Sequence, residues 1–165
     1  VDAPEIAPAV MRPFEWLCLS RAEIAELRAF IDARKGRLVP FWVASGEQDL
    51  TLTTGPGFGN LVTIKEIGYT DHLFPMGGFR RHIWAWNPTF VTREYRKVTA
   101  SVKNGDGTET LTLNSSFLAN VQLGWYLGFL RLCRLEDDVP EIEFESEVVA
   151  RCSLRLRELP QEAPT

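Results

Sequence analysis

Histidine is scarce, with two residues in a chain of 165, and cysteine is little commoner, with three. His72 and His82 stand in no recognisable nucleophile motif, so a Ser-His-Asp or Cys-His arrangement has little to draw on. Cys18, Cys133 and Cys152 are odd in number and far apart, which argues against a disulfide framework or a zinc knuckle. They read as free thiols in apolar strands, in a reducing compartment. The pair Asp137-Asp138 lacks calcium-loop spacing and reads as a solvated turn. No catalytic set, metal or cofactor is therefore expected. Long apolar runs are missing as well, so no membrane span is expected. A basic excess is also absent. The formal charge of −4 supplies no phosphate-neutralising term, and stable nucleic-acid binding is not expected. Gly55, Gly57 and Gly59 precede a strand-like run rather than a helix, so they form no phosphate loop.

What is present begins with one well-marked helix, at about 20–35. Ser20 with Glu23 three residues on makes a capping box. Arg34 and Lys35 put cations at the negative end of the helix dipole, and Gly36 takes the left-handed position that ends it. Ile24, Leu27, Phe30 and Ile31 form an apolar stripe at three- and four-residue spacing.

The rest reads as strands. Phe14 to Leu19 feeds the helix, and Arg37 to Val43 leaves it, with Pro40 implying an edge or a bulge. Asp49 to Thr54 alternates, Gly55 to Asn60 is a cluster of breakers, and Gly68 to Gly78 reads as a loop between strands at Leu61–Ile67 and Arg81–Trp86. Lys103 to Gly107, with its Asn-Gly and Asp-Gly pairs, is the strongest hairpin signal, between Tyr95–Val102 and Thr108–Leu113. Ser115 to Gly124 reads as a loop or a short helical turn. Trp125 to Leu135 is a long apolar strand. In Val148 to Leu156, Val148, Ala150, Cys152, Leu154 and Leu156 share one face. Pairing Glu145 with Arg151 and Glu141 with Arg155 would bury Ile142 and Phe144 beside Leu154 and Cys152.

This pattern predicts a mostly β protein, an antiparallel β-sandwich or barrel with one packed helix. The expected organisation is an extended arm over 1–13, a sandwich with its helix over 14–54 and 124–160, an inserted small β subdomain over 55–123, and a polar tail over 161–165. Within the insertion, Trp84 and Trp86 with the Asp71-His72 loop are the candidate binding platform for a glycan or cell-surface partner. The bland alternative makes the tryptophans core and ties the histidine into its own turn. Glu141, Glu143 and Glu145 are a weaker candidate for a cell-wall hydrolase pair. An alternating strand with arginines opposite makes them a solvated face instead.

Leu19-Ser20, the capped helix from Arg21 to Lys35, Gly36, and Phe41-Trp42 together resemble a stretch of the minor tail protein M family of lambda-like phages. Arg28 to Trp42 is also similar to tail-tip proteins of other siphophages, prophages and gene transfer agents, and Val148 to Leu159 occupies the place of the family's closing strand. Residues from about Gly55 to Leu123 have no counterpart in the short lambda protein. The resemblance implies a sandwich-plus-helix fold of tail-tube type and no enzymatic activity. It also implies a virion component at the distal end of the tail, made and assembled in the bacterial cytoplasm. Copies of the chain would form a ring, six subunits or alternatively three, beside the tail tube protein, the hub or fibre protein and the tape-measure protein.

Overall fold

A computed structural model describes residues 11–53, 59–88, 92–117, 124–138 and 140–159. Most of the arm, the glycines before Gly59, much of 115–124 and the tail fall outside the described residues. The fold is mostly antiparallel β. In chain order the elements are β1 (Met11–Cys18), α1 (Arg21–Arg34), β2 (Phe41–Ala44), β3 (Leu61–Lys65), β4 (His82–Asn87), β5 (Thr92–Lys103), β6 (Thr108–Leu113), β7 (Tyr126–Leu135), β8 (Ile142–Phe144) and β9 (Ala150–Glu158). The chain divides into two compact units, one within Val1–Trp42 and Leu132–Pro160, the other within Val43–Arg131. The second unit is wider than the insertion read from the sequence. Residues 43–53 and 124–131, assigned there to the sandwich, build it too.

In the first unit α1 starts where its cap predicts. The Ser20 hydroxyl accepts from Glu23 N–H at 3.2 Å. The Glu23 carboxylate reaches back one residue further than a capping box requires, accepting from Leu19 N–H at 2.7 Å. At the other end Lys35 takes the left-handed conformation ahead of Gly36 (φ 50° and 65°), and its N–H bonds Asp32 O at 3.1 Å. Gly36 has a second reason to lack a side chain: a Cβ there would lie 2.6 Å from Asp138 Oδ1. Asp138 grips the turn by accepting from Arg37 N, Nε and Nη2 at 3.1–3.2 Å. The Arg37 side-chain bond, then its backbone N–H, hold the Asp138 carboxyl below the ordinary aspartate range.

Ile24 and Leu27 are buried, Phe30 and Ile31 half-buried. Phe30 stacks on Trp16 of β1 at 6.5 Å and meets Phe41 edge-on at 5.0 Å. Arg34 lies over both the Phe30 and Phe41 rings. Leu27→Asp is expected to unfold this unit, because an uncompensated charge in that layer costs several kcal/mol, roughly the whole stability of a small unit. Soluble Leu27→Asp protein with native circular dichroism and a cooperative melt would show the helix packs elsewhere.

The β9 strand is buried at every second residue from Ala150 to Glu158. It pairs with β1 along its length, and with β8 and the end of β7. Two expectations need correction here. Glu143, not Glu145, stands opposite Arg151, and Ile142 opposes Cys152, a slip of two residues from the expected register. A two-residue slip preserves which face each side chain takes, and Glu145 still pairs with Arg151 diagonally at 2.6 Å. Phe144 and Val148, expected in the core, are instead 53% and 44% exposed. Phe144 closes β8 with its ring 5.5 Å from the Arg28 guanidinium of α1, and Val148 lies in the bends that follow. Pro40 also moves: β2 begins at Phe41, so the proline precedes the strand.

The second unit is a closed barrel. Hydrogen-bonded order runs β7-β4-β5-β6-β3. Leu52 then bridges Ile64 of β3, and Leu50 bridges Leu127 of β7, so 49–53 joins the two ends of the sheet. The sequence predicted a full strand at Asp49–Thr54, and the structure makes it two bridges that close the circuit. β5 pairs with β4 through Lys97 and with β6 from Val98, with a bulge between Val98 and Ala100. Such a bulge lets one strand turn a barrel corner. Inside lie Leu50, Val62, Ile64, Ile83, Leu111, Leu127 and their neighbours.

Candidate functional site

The residues singled out in the sequence do not converge. Trp84 is 6% exposed and cannot present a binding face. It points to the outside of the barrel, yet the turn Ser45–Asp49 covers it, with Nε1 3.4 Å from Ser45 Oγ. Asp49 fixes that turn by accepting from Phe129 N–H and the Ser45 hydroxyl, both at 2.7 Å. Beneath it Gly128, the cross-strand partner of Trp84, leaves room for the indole. Trp86 is half-buried and packs on Tyr126 at 5.1 Å.

Antiparallel partners share a face, so the register defines what stands beside the tryptophans. Tyr126, Trp86 and Arg93 make one row across β7, β4 and β5, Gly128, Trp84 and Tyr95 the next, and His82 with Lys97 a third. Tyr95 and Tyr126 are 54% and 41% exposed, and Arg93 and Lys97 are exposed. Burial first, then Lys97, keep the His82 pKa below its ordinary value, so this imidazole is neutral at pH 7.

Asp71 and His72 lie elsewhere, on an excursion that is not the featureless loop expected. Tyr69–Leu73 forms a π-helical turn, Phe74–Met76 one α-turn and Gly78–Arg81 a 3₁₀ turn. Asp71 is exposed and 3.5 Å from Lys103, which also pairs with Glu66, and His72 is exposed. The anchor is Glu109, fully buried on β6. Its carboxylate accepts from Ile67, Tyr69 and Thr70 N–H at 3.1, 3.0 and 2.7 Å. Tyr69, also fully buried, donates its hydroxyl proton to Arg80 O at 2.8 Å and stacks on Phe129. Arg81 lies 4.3 Å over Phe74 and bonds its carbonyl at 3.2 Å. The excursion is thus pinned at both ends.

The acidic strand forms an exposed, charge-lined surface. Glu141 and Glu143 line a groove of about 470 Å³ with Glu15, Asp137, Arg151 and Arg155, and all these charged side chains are exposed. Cys18, Cys133 and Cys152 are buried and form no disulfide among the described residues. Burial pushes the Cys18 and Cys152 thiols up, which suppresses the thiolate that reactivity needs. Among the described residues no three His, Cys, Asp or Glu side chains cluster as metal ligands, and no helix is long and apolar enough to cross a membrane.

One backbone feature went unremarked in the sequence. β1 lies at the end of the strand order and, among the described residues, pairs only with β9. Its other edge offers eight residues of strand, carrying Trp16 and Leu17, each 50% exposed. The barrel, by contrast, closes on itself.

No protein-family model and no curated protein matches this chain.

Proposed function

We propose that the chain is a structural subunit of the tail tip of a long-tailed phage or phage-like particle. In this reading copies form a ring that joins the tail tube to the hub or fibre and keeps a channel open for DNA. The resemblance at Leu19–Trp42 suggested it, and the open edge of β1 is the observation that carries it. An eight-residue strand with one edge unpaired among the described residues and an exposed Trp-Leu pair is an aggregation hazard in a lone monomer. It becomes an asset where a neighbouring subunit supplies the next strand. The contrast within one chain sharpens the point, because the barrel unit closes its sheet with two bridges and β1 has no such cover among the described residues. A net charge of −4 also suits a subunit beside DNA that must slide without adsorbing.

Mass spectrometry and electron microscopy of purified particles test this. The chain is expected in mature particles, as density in a ring below the tube in contact with tube, tape-measure and hub or fibre proteins. Particles that infect or transfer DNA normally without the chain in them would end the proposal.

A further inference from the structure

The tail-tip role gives no use to the outer face of the barrel, where one sheet surface displays Tyr126, Trp86 and Tyr95 beside Arg93 and Lys97. We infer that this face binds an anionic glycan. Tyrosine and tryptophan rings supply flat apolar surfaces with polar tips, the chemistry that lies against the C–H face of a pyranose. Tyr126, Trp86 and Arg93 span two strand spacings, about 10 Å, room for consecutive sugar rings with the guanidinium at the end of the row.

Charge selects among glycans. Within the three rows the only formally charged side chains are the cations Arg93 and Lys97, both on β5. The turn above Trp84 carries two carboxylates, the exposed Glu47 and Asp49, whose partners Ser45 and Phe129 are neutral donors. The cations thus stand on β5, whereas the turn that carries the carboxylates sits on Gly128 of β7, so the β5 side of the face is the side that complements carboxylate, sulfate or phosphate groups on the sugar. Two cations are too few for a nucleic-acid backbone to dominate the affinity.

The rigidity of the face favours the same conclusion. The buried Trp84 acts as a wedge between Trp86 and His82 on β4, and the covering turn holds it through Ser45. Trp86 thus stands on a strand that is locked from above, with Tyr126 and Tyr95 on the strands hydrogen-bonded to either side of it, which lowers the ordering cost of binding.

The test uses the full chain on an array of neutral, uronate-bearing, sialylated, sulfated and phosphorylated glycans, followed by titration of the strongest binder. Binding confined to anionic members is expected, weakening as salt is raised. Tyr95→Ala and Arg93→Ala should each weaken it roughly tenfold, with unchanged melting curves, and Lys65→Ala on β3 should leave it alone. Absence of binding to every anionic glycan, binding to neutral glycans only, or affinity insensitive to both substitutions would overturn the inference. So would tighter binding of a twenty-residue oligothymidylate than of any glycan. The assay is made on the free chain, so its failure leaves the ring proposal standing, and the chain's absence from particles leaves the glycan face standing.

Discussion

Gly128→Ala is expected to destabilise the barrel unit by roughly 3 kcal/mol or more, the range of a core overpacked against fixed neighbours. A Cβ on Gly128 would collide with the carbonyl oxygen of Glu47, and would lie 2.6 Å from Trp84 Nε1 and 2.9 Å from Asp49 Oδ2. None of the three can step aside cheaply. The Glu47 carbonyl is backbone in a tight turn, the indole is wedged under that turn, and the Asp49 carboxylate is committed to Phe129 N–H. Gly128 has no positive φ, so backbone conformation contributes no penalty. An open site of this kind would gain about 0.4–1 kcal/mol from alanine through the unfolded state. The sign of the effect therefore isolates the steric term. Gly105→Ala is the control: φ is 77° and nothing lies within 4 Å of its Cβ, so only the left-handed penalty of about 1 kcal/mol applies. Urea unfolding of both variants, followed by tryptophan fluorescence, compares them. A Gly128→Ala protein as stable as the native one would mean that the turn 45–49 does not seat on β7.

That turn also marks where the sequence stopped being informative. Local signals worked well: the Ser20 cap, the Asn-Gly and Asp-Gly hairpin and the alternation of β9 each depend on residues near one another in the chain. Alternation on β4 likewise put Trp84 and Trp86 on one face, away from Ile83 and Ala85. It could not say what covers that face, because the cover comes from residues 45–49. The β8–β9 register failed for a related reason. Slips of two residues keep every charge and apolar residue on its own face, so the pattern could not choose among them. Closure of the barrel was illegible as well, since two isolated bridges at Leu50 and Leu52 carry it. Glu109 was different, for its signal was present and unused. It shares parity with Leu111 and Leu113 in a strand whose threonines take the other face. A carboxylate in the apolar register calls for a partner, and three backbone N–H groups from 67–70 are that partner.

Those N–H groups make Glu109→Gln the second substitution of large expected effect, a loss of roughly 2–4 kcal/mol. Glutamine keeps the shape, but it removes the charge and places an N–H₂ donor among donors, so at least one buried N–H loses its acceptor. Burial alone raises the Glu109 carboxyl pKa. The N–H bonds from Thr70, Ile67 and Tyr69 outweigh it together and hold the group below the ordinary glutamate value of 4.5. The sign follows from linkage. With the folded pKa depressed, the stabilisation is complete above the unfolded value and is lost as pH falls through the folded one. Lys103 is the cross-strand neighbour of Glu109, but its ammonium goes to Glu66 and Asp71, so it leaves the hydrogen bonds as the dominant influence. Native protein should therefore lose stability below about pH 4.5, and Glu109→Gln, already weakened at pH 7, should lose less over the same interval. Hydrogen exchange locates the effect. Amides of Ile67, Tyr69 and Thr70 should exchange faster in the variant at pH 7, and in the native protein on acidification, before those of β5 and β6. Parallel pH–stability curves for the two proteins would show that the Gly68–Arg81 excursion is held by Tyr69 and Arg81 packing rather than by the buried carboxylate.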